Sequence, residues 1–518
     1  MKTDVLIVGA GPTGLALAMH LTRYGIDFRL VDKKETTTPY SRAIGVQART
    51  LEIYDQVGIA DELVSLGWVA NRVRLIEGSE VRGEIDLNKF GEGMSPFPFL
   101  LIVEQGKHEA LLYKFIREHQ HDVMWQTELV KFAQDGNGVT ADLKTADGKL
   151  ETVEAKFLVG CDGARSLVRH LLNIEFGGST FERLFYVADV DIDWAFDHDA
   201  LHVNLGKNTL TAFFPMVGDK RWRIVGTFPE GHQADEGDVV FEEIERQVIA
   251  DTELKFDITK VNWYSTYKVH SRHVNRFSEG RCFLAGDSAH IHTPAGAQGM
   301  NTGIQDGYNL AWKLAAVLKS EAGKKLLETY NEERLPNAHR LLQTTDRFFK
   351  LAASEEPLTA FFRIHILPYI ANFALNIDAV KRFIFPLVSQ IGINYRHSSL
   401  SAGDGFNVRA GDRMPYFTID GESIYDRLHD PKFHLLVFSD GSDKLTADQM
   451  ASDNSTVDVF PLYPSIAETF GANRTFSILL RPDNYIGYIG TGVDQGAIND
   501  YLSRMFEKAS TASEVTGN

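Results

Sequence analysis

Gly9-Ala10-Gly11-Pro12-Thr13-Gly14 stands between an apolar run, residues 4–8, and a stretch of helical periodicity, residues 15–24. Glycine at these positions allows a tight turn, lets backbone amides approach a pyrophosphate, and lets helix and strand pack closely. The helix N-terminus adds free N–H groups and a positive dipole for that anion. Asp32 closes the next apolar run, residues 27–31, and can accept hydrogen bonds from a ribose diol, with Lys33 beside it. The unit reads as a dinucleotide site, and by itself it leaves FAD and NAD open.

A second motif separates them. Residues 281–290 read as a buried strand ending in Gly286-Asp287, followed by Pro294, Gly296, Gly299, Met300, Asn301 and Gly303. A plain NAD dehydrogenase needs no second, distant contact of this kind, whereas FAD lies extended and its ribityl chain needs a carboxylate such as Asp287. A helix starting near Gln298 would aim its N–H groups at the pyrimidine edge of a flavin, where reduction leaves negative charge. A third element, Gly160-Cys161-Asp162-Gly163, is another strand closing on Asp-Gly before a helix. His290 and His292 with Asp287 have metal-ligand types, but Asp287 is needed by the ribityl chain and no third ligand stands nearby, so no metal is expected.

These motifs require a discontinuous cofactor domain. Residues 80–100 and 181–275 change to alternation and turns, as in a mostly antiparallel inserted sheet. Residues 211–215 and 221–225 read as a hairpin across Gly218-Asp219, with Arg221 and Arg223 on one face and Trp222 on the other. Helices run to about residue 398, and the tail from Ala402 is a separate α/β unit. Its longest apolar neighbour, residues 361–377, is broken by Arg363, His365 and Pro368, so no membrane span is expected. The aromatics Phe361, Phe362, Tyr369, Phe373, Phe383 and Phe385 read as core packing before they read as a pocket roof.

With 53 basic against 70 acidic residues and a formal charge of −17, the chain is a poor partner for nucleic acid or an anionic bilayer. Two cysteines without a CxxC exclude a disulfide scaffold and fit a reducing cytoplasm, as does an N-terminus without a signal-peptide pattern.

Taken together, the motifs resemble the single-component (class A) FAD-dependent aromatic hydroxylases, the p-hydroxybenzoate hydroxylase fold. Ser41-Arg42-Ala43, Arg49-Thr50-Leu51-Glu52, Glu104-Gln105 and Pro294 to Gly303 stand in that family's order over nearly the whole chain. The tail, with Gly411-Asp412-Arg413 and Arg481-Pro482-Asp483, is similar to the thioredoxin-like domain of its larger members: phenol hydroxylases, polyketide hydroxylases and rifampicin monooxygenases. The implied fold is α/β: a Rossmann-like, glutathione-reductase-type FAD domain, an inserted antiparallel-sheet substrate domain, a helical segment and a thioredoxin-like domain without CxxC. The expected division is 1–79, 101–180 and 277–400 for the FAD domain and helical region, 80–100 and 181–276 for the substrate domain, and 401–518 for the tail.

The resemblance implies roles. The FAD contacts are Gly9, Gly11, Pro12, Thr13, Gly14, Asp32, Lys33, Arg42, Gln105, Leu129, Asp162, Gly286, Asp287, Pro294, Gly299, Met300 and Asn301, with Asp162 expected where reductant and FAD approach each other. Pro294 is the wall beside the reactive flavin edge, Arg223 serves flavin movement or anion stabilisation, and His202 is a candidate to orient a phenol. Ala297 stands where many relatives have glycine. NADPH or NADH reduces the flavin, and O2 is then activated as an electrophilic C4a-hydroperoxide that a phenolic or polycyclic ring attacks. No arginine cluster marks residues 181–260, which favours a neutral phenol or a larger aromatic over a small benzoate. A homodimer fits the resemblance. A flavin halogenase is disfavoured because no Trp-x-Trp-x-Ile-Pro element is present. An FAD-dependent reductase and a non-catalytic, FAD-stabilised binding protein are the remaining alternatives.

Overall fold

The computed structural model describes residues 1–40, 43–204, 209–229, 231–232, 237–293, 297–353, 377–441 and 455–506. Arg42, Pro294, Phe361, Phe362, Tyr369 and Phe373 lie outside the described residues.

Lys2–Val8 forms the centre of the first sheet because Val5, Leu6 and Ile7 are apolar on both faces and fully buried. Leu150–Gly160 and Phe28–Val31 flank it in parallel, and Cys282–Leu284 adds outside Leu150–Gly160, also in parallel. The chain therefore returns to this sheet after a long excursion, as the discontinuous reading requires. Helices Pro12–Arg23 and Gly299–Leu318 cross where a Cβ on Gly307 would lie 3.2 Å from Leu17, so the small residue permits the approach.

The excursion is an eight-stranded sheet in the order His290–Ile291, Asp257–Val274, Phe176–Asp193, Arg221–Thr227, Thr211–Pro215, Leu201–Asn204, Arg72–Glu77 and Glu80–Asp86. It is antiparallel except where Leu201–Asn204 meets Arg72–Glu77. The sheet thus begins before residue 80, and its long strand begins at Phe176 rather than 181. The hairpin joining Thr211–Pro215 to Arg221–Thr227 is present in the expected register.

The tail folds around Ser455–Pro461, Phe433–Ser439, Phe476–Leu480 and Ile486–Thr491, in that spatial order. Its core is Leu436, Phe438, Ile466, Phe470, Phe476 and Ile478, while Leu435, Val437 and Leu479 on the other sheet face join the cofactor domain's core. Among the described residues, no helix is long and apolar enough to cross a membrane.

Candidate cofactor and active site

The motifs read separately in the sequence meet around Thr13. A Cβ on Gly286 or Gly303 would lie 2.4 or 2.3 Å from the Thr13 hydroxyl, and one on Gly9 would lie 2.3 Å from the Cys161 carbonyl oxygen. Close packing fixes those glycines. Gly11 is different: nothing lies within 4 Å of its would-be Cβ, and the helix Pro12–Arg23 starts there without a side-chain cap. Open space over unpartnered first-turn amides is what a pyrophosphate requires.

Asp32 is held at the strand end by the Ala10 N–H, 2.6 Å from Oδ2, and the Lys34 N–H, 2.8 Å from Oδ1. The Lys34 ammonium lies 3.9 Å from Asp32 and 3.6 Å from the buried Glu109, whereas Lys33 is exposed. Gln105 accepts from the Ala43 N–H at 3.2 Å and donates to Glu109 at 2.9 Å, and Glu109 also accepts from the Thr38 N–H at 2.8 Å. Glu109, which the sequence did not mark, thereby anchors the segment leading to Arg42. Leu129 is buried on the strand Glu128–Gln134 opposite Leu143.

Asp162 caps the short helix Leu167–Leu171. Its carboxylate accepts from the Ser166 hydroxyl at 2.6 Å and from the Leu167 and Val168 amides at 2.7 and 3.2 Å. Burial pushes its pKa up against those hydrogen bonds. Arg169 then donates to the Ser288 carbonyl at 2.9 Å, tying this motif to the turn that carries Asp287, an exposed residue on Gly286–Ser288. Asp306, also unmarked in the sequence, grips the same turn: it accepts from the Gly286 N–H at 2.9 Å and is braced by His290 at 2.7 Å and Arg334 at 2.6 Å. Burial works against its ionisation, but Arg334 and His290 hold its carboxyl below the usual range. His290 is thus committed to Asp306.

The helix Gly299–Leu318 begins at Gln298 without a side-chain cap, leaving its dipole directed at the first turn with Gly299, Met300 and Asn301. The Asn301 side chain is not free for a ligand. Its oxygen accepts from the Gln47 N–H at 2.9 Å and the Thr50 hydroxyl at 2.7 Å, and its amide donates to Gly45 and Ala297 carbonyls at 2.9 and 2.8 Å. Asn301 therefore offers backbone, while its side chain joins two walls of the cradle. Ala297 has φ of 52°, a conformation that favours glycine, and its methyl lies where a Cβ on Gly45 would be only 2.4 Å away. The departure at 297 is accommodated because position 45 is glycine.

The inserted sheet closes over this cradle. Phe214, Arg223, Asp189 and Trp263 are direct neighbours across three strand pairings and so share one face. Phe214 packs with Ile44, Leu100 and Leu201, Tyr40 stacks on Trp263 at 5.9 Å between centroids, and Arg221 reaches Glu104 at 3.1 Å. These contacts turn that face toward the cofactor domain. Arg223, 1% exposed, forms a two-pronged bridge to Asp189 at 2.6 and 2.7 Å, with its guanidinium 6.0 Å from the Trp263 ring. It is a buried, paired arginine and not a solvated one. His202 pairs with Phe213 and lies on the opposite face, among Trp194, Phe196 and Trp222. The structure does not bring it together with Arg223. Strand alternation held the signal for Asp189, but only the non-local register identifies it as the partner of Arg223.

The residues present fit FAD: open space at Gly11 for phosphate, Asp32 for ribose, Asp287 for the ribityl chain and uncapped amides for the ring edge. The comparisons agree. A family described as FAD binding domain matches residues 2–345. A flavin-dependent monooxygenase of Mycobacteroides abscessus is 34% identical, with 97% of this chain and 99% of that protein covered. The 6-methylpretetramide 4-monooxygenase of Streptomyces rimosus is 32% identical, with coverage of 94% and 90%. Among solved structures, the anhydrotetracycline hydroxylase of Streptomyces rimosus matches with a TM-score of 0.76 at 28% identity, over 98% of this chain and 99% of that one.

Proposed function

The chain belongs to the FAD-dependent aromatic monooxygenases, and from that premise we propose that its substrate is a neutral phenol of a fused-ring system. When bound, FAD would supply the redox chemistry by which NAD(P)H reduces the site and one atom of O2 enters the ring while the other leaves as water.

The observation that carries the substrate class is the pairing of the cations on the cofactor-facing side of the sheet. Arg223 is held by Asp189 and Arg221 by Glu104. A benzoate-type carboxylate would have to displace one of those partners, at a cost set by the desolvated charge left behind. A neutral ring has no such charge to place, and the same side of the sheet carries the apolar cluster of Phe214, Leu201, Ile44 and Leu100. The activities named for the Streptomyces rimosus relatives, on 6-methylpretetramide and anhydrotetracycline, support a polycyclic substrate. Arg223, oriented by Asp189, is assigned to local electrostatic stabilisation of negative charge on a phenol oxygen or the flavin ring, and the uncapped helix start at Gln298 is assigned to the same task. Pro294 is assigned to the wall beside the reacting edge.

The test is NADPH oxidation by the FAD-loaded protein, with peroxide quantified, against benzoates, simple phenols and fused-ring phenols. Fused-ring phenols should accelerate oxidation while peroxide stays low. Preferential coupling to a carboxylated ring would overturn the substrate class. No stimulation by any aromatic, with flavin that dithionite reduces, would favour the reductase or binding-protein reading.

A further inference from the structure

We infer that the C-terminal domain positions the flavin cradle, with Arg413 and Asp483 acting through the helix Ala48–Asp55 on Asn301. The inference rests on the FAD site described above. The tail contains no cysteine and therefore no thiol chemistry, yet its two landmark segments are inserted among buried charges of the cofactor domain.

On one side, Arg413 donates to Glu52 at 2.9 Å and to the Met94 carbonyl at 3.0 Å, and also contacts the Tyr425 hydroxyl. The other Glu52 oxygen takes Arg49 at 3.0 Å, and Arg49 donates onward to the Asp483 carbonyl at 3.0 Å. Arg49 and Glu52 are both 1% exposed, so neither has water as an alternative partner. They lie on the same short helix as Thr50, whose hydroxyl, with the Gln47 N–H just before it, holds Asn301. From a tail arginine to the flavin wall there are thus three links: Arg413 to Glu52, the helix, and Thr50 to Asn301.

On the other side the tail grips the long helix directly. Arg481 bridges Glu333 at 2.6 and 3.1 Å, and Glu333 accepts from Lys313 and Asn309, each at 2.7 Å. Trp312 donates its indole N–H to Asp483 at 3.1 Å. Asn309, Trp312 and Lys313 belong to Gly299–Leu318, the helix whose uncapped first turn is assigned above to the flavin. Both elements that meet at Asn301 are therefore clamped by the tail, although the tail need give no atom to the cofactor. Buried charges with several fixed partners transmit a displacement better than an apolar contact, because each lost partner leaves a charge without water.

The experiment uses the full-length protein. Arg413→Met removes the charge and the fork, and Arg413→Lys keeps the charge without the fork. The FAD dissociation constant is read from flavin fluorescence, and ring placement from the visible circular dichroism of bound flavin. Arg413→Met should weaken FAD about tenfold, the loss of one charge-assisted hydrogen bond, with Arg413→Lys intermediate, and both should alter the flavin dichroism. If Arg413→Met does not fold, Arg413→Lys decides by the same two readouts. Folded variants with unchanged FAD affinity and dichroism overturn the inference, as does lowered thermal stability with both flavin readouts unmoved. Failure of the unmodified protein to bind FAD would instead strike the family assignment.

Discussion

On one face of the inserted sheet, Phe214, Arg223, Asp189 and Trp263 form a row toward the cofactor domain; on the other, His202, Trp222, Trp194 and Phe213 close over a core beneath the helix Phe241–Thr252. Both faces bury aromatic rings and polar atoms, and Arg223 and Trp222 are equally inaccessible at 1%. The difference lies in the state of the polar groups. The cofactor side retains a buried ion pair, the Arg223 guanidinium fixed by a forked bridge to Asp189. On the rear side the imidazole is neutral: His202 Nδ1 has no partner among the described residues, Nε2 lies 3.4 Å from the Asp197 carbonyl, and burial lowers its pKa to about 4. A buried charge held against its desolvation cost points to the side where chemistry needs it.

The largest effect that division predicts is at Arg223. Arg223→Met should lower kcat/KM by about 100-fold or more, the scale of losing one preorganised electrostatic group. It should also destabilise the fold by roughly 3–5 kcal/mol, because Asp189 is left buried without its cation. Arg223→Met combined with Asp189→Leu separates the two effects. Thermal unfolding should return close to the unmodified protein while turnover stays low. Recovery of turnover in the double variant would mean that the bridge is only structural, and the contrast between the faces would be lost.

Trp222, one residue away but pointing backward, should behave in the reverse sense. Trp222→Ala opens a cavity in the rear core and should cost roughly 3–5 kcal/mol in denaturant unfolding. Turnover per bound FAD should stay within about twofold, as none of its ring contacts is on the cofactor side. A collapse of turnover per bound FAD would show that the faces are mechanically coupled.

Much of this was legible because it is local. The turn after Val8, the Gly-Asp turn, the helix starting at Gly299 and the hairpin around Gly218 depend on neighbours in sequence, and glycine or alternation marks each. Arg223 and Trp222 were correctly set on opposite faces for the same reason. The remaining site residues depend on contacts distant in sequence. Asp189 meets Arg223 only through the register of two strands 34 positions apart, and Asp306 reaches Gly286 only when helix and turn are packed. His202 and Arg223 could not be assigned relative faces from the sequence, because they lie on strands separated by Thr211–Pro215, and alternation within one strand says nothing of another's phase. Glu52 and Arg413 stood out only as parts of two separate motif segments, and their pairing across domains had no local signal.

The smallest effect falls on His202 and also tests the division from the rear. Its folded pKa, about 4, is below the ordinary 6.5. Between those values the unfolded chain binds the additional proton, so stability is complete above pH 6.5 and falls as pH drops through the window toward 4. At pH 5 this one group accounts for roughly 2 kcal/mol. His202→Phe fits the ring cluster of Trp194, Phe196 and Trp222 without a proton to bind. The loss of thermal stability between pH 8 and pH 5 should shrink by about that amount. A residual slope should remain, because burial also lowers His108 to about 3 and His292 to about 4. Turnover at pH 8 should change by less than about twofold. If His202→Phe instead abolishes hydroxylation in protein that still holds FAD, the imidazole acts on the substrate after all, and the sheet cannot be divided into a chemical face and a structural one.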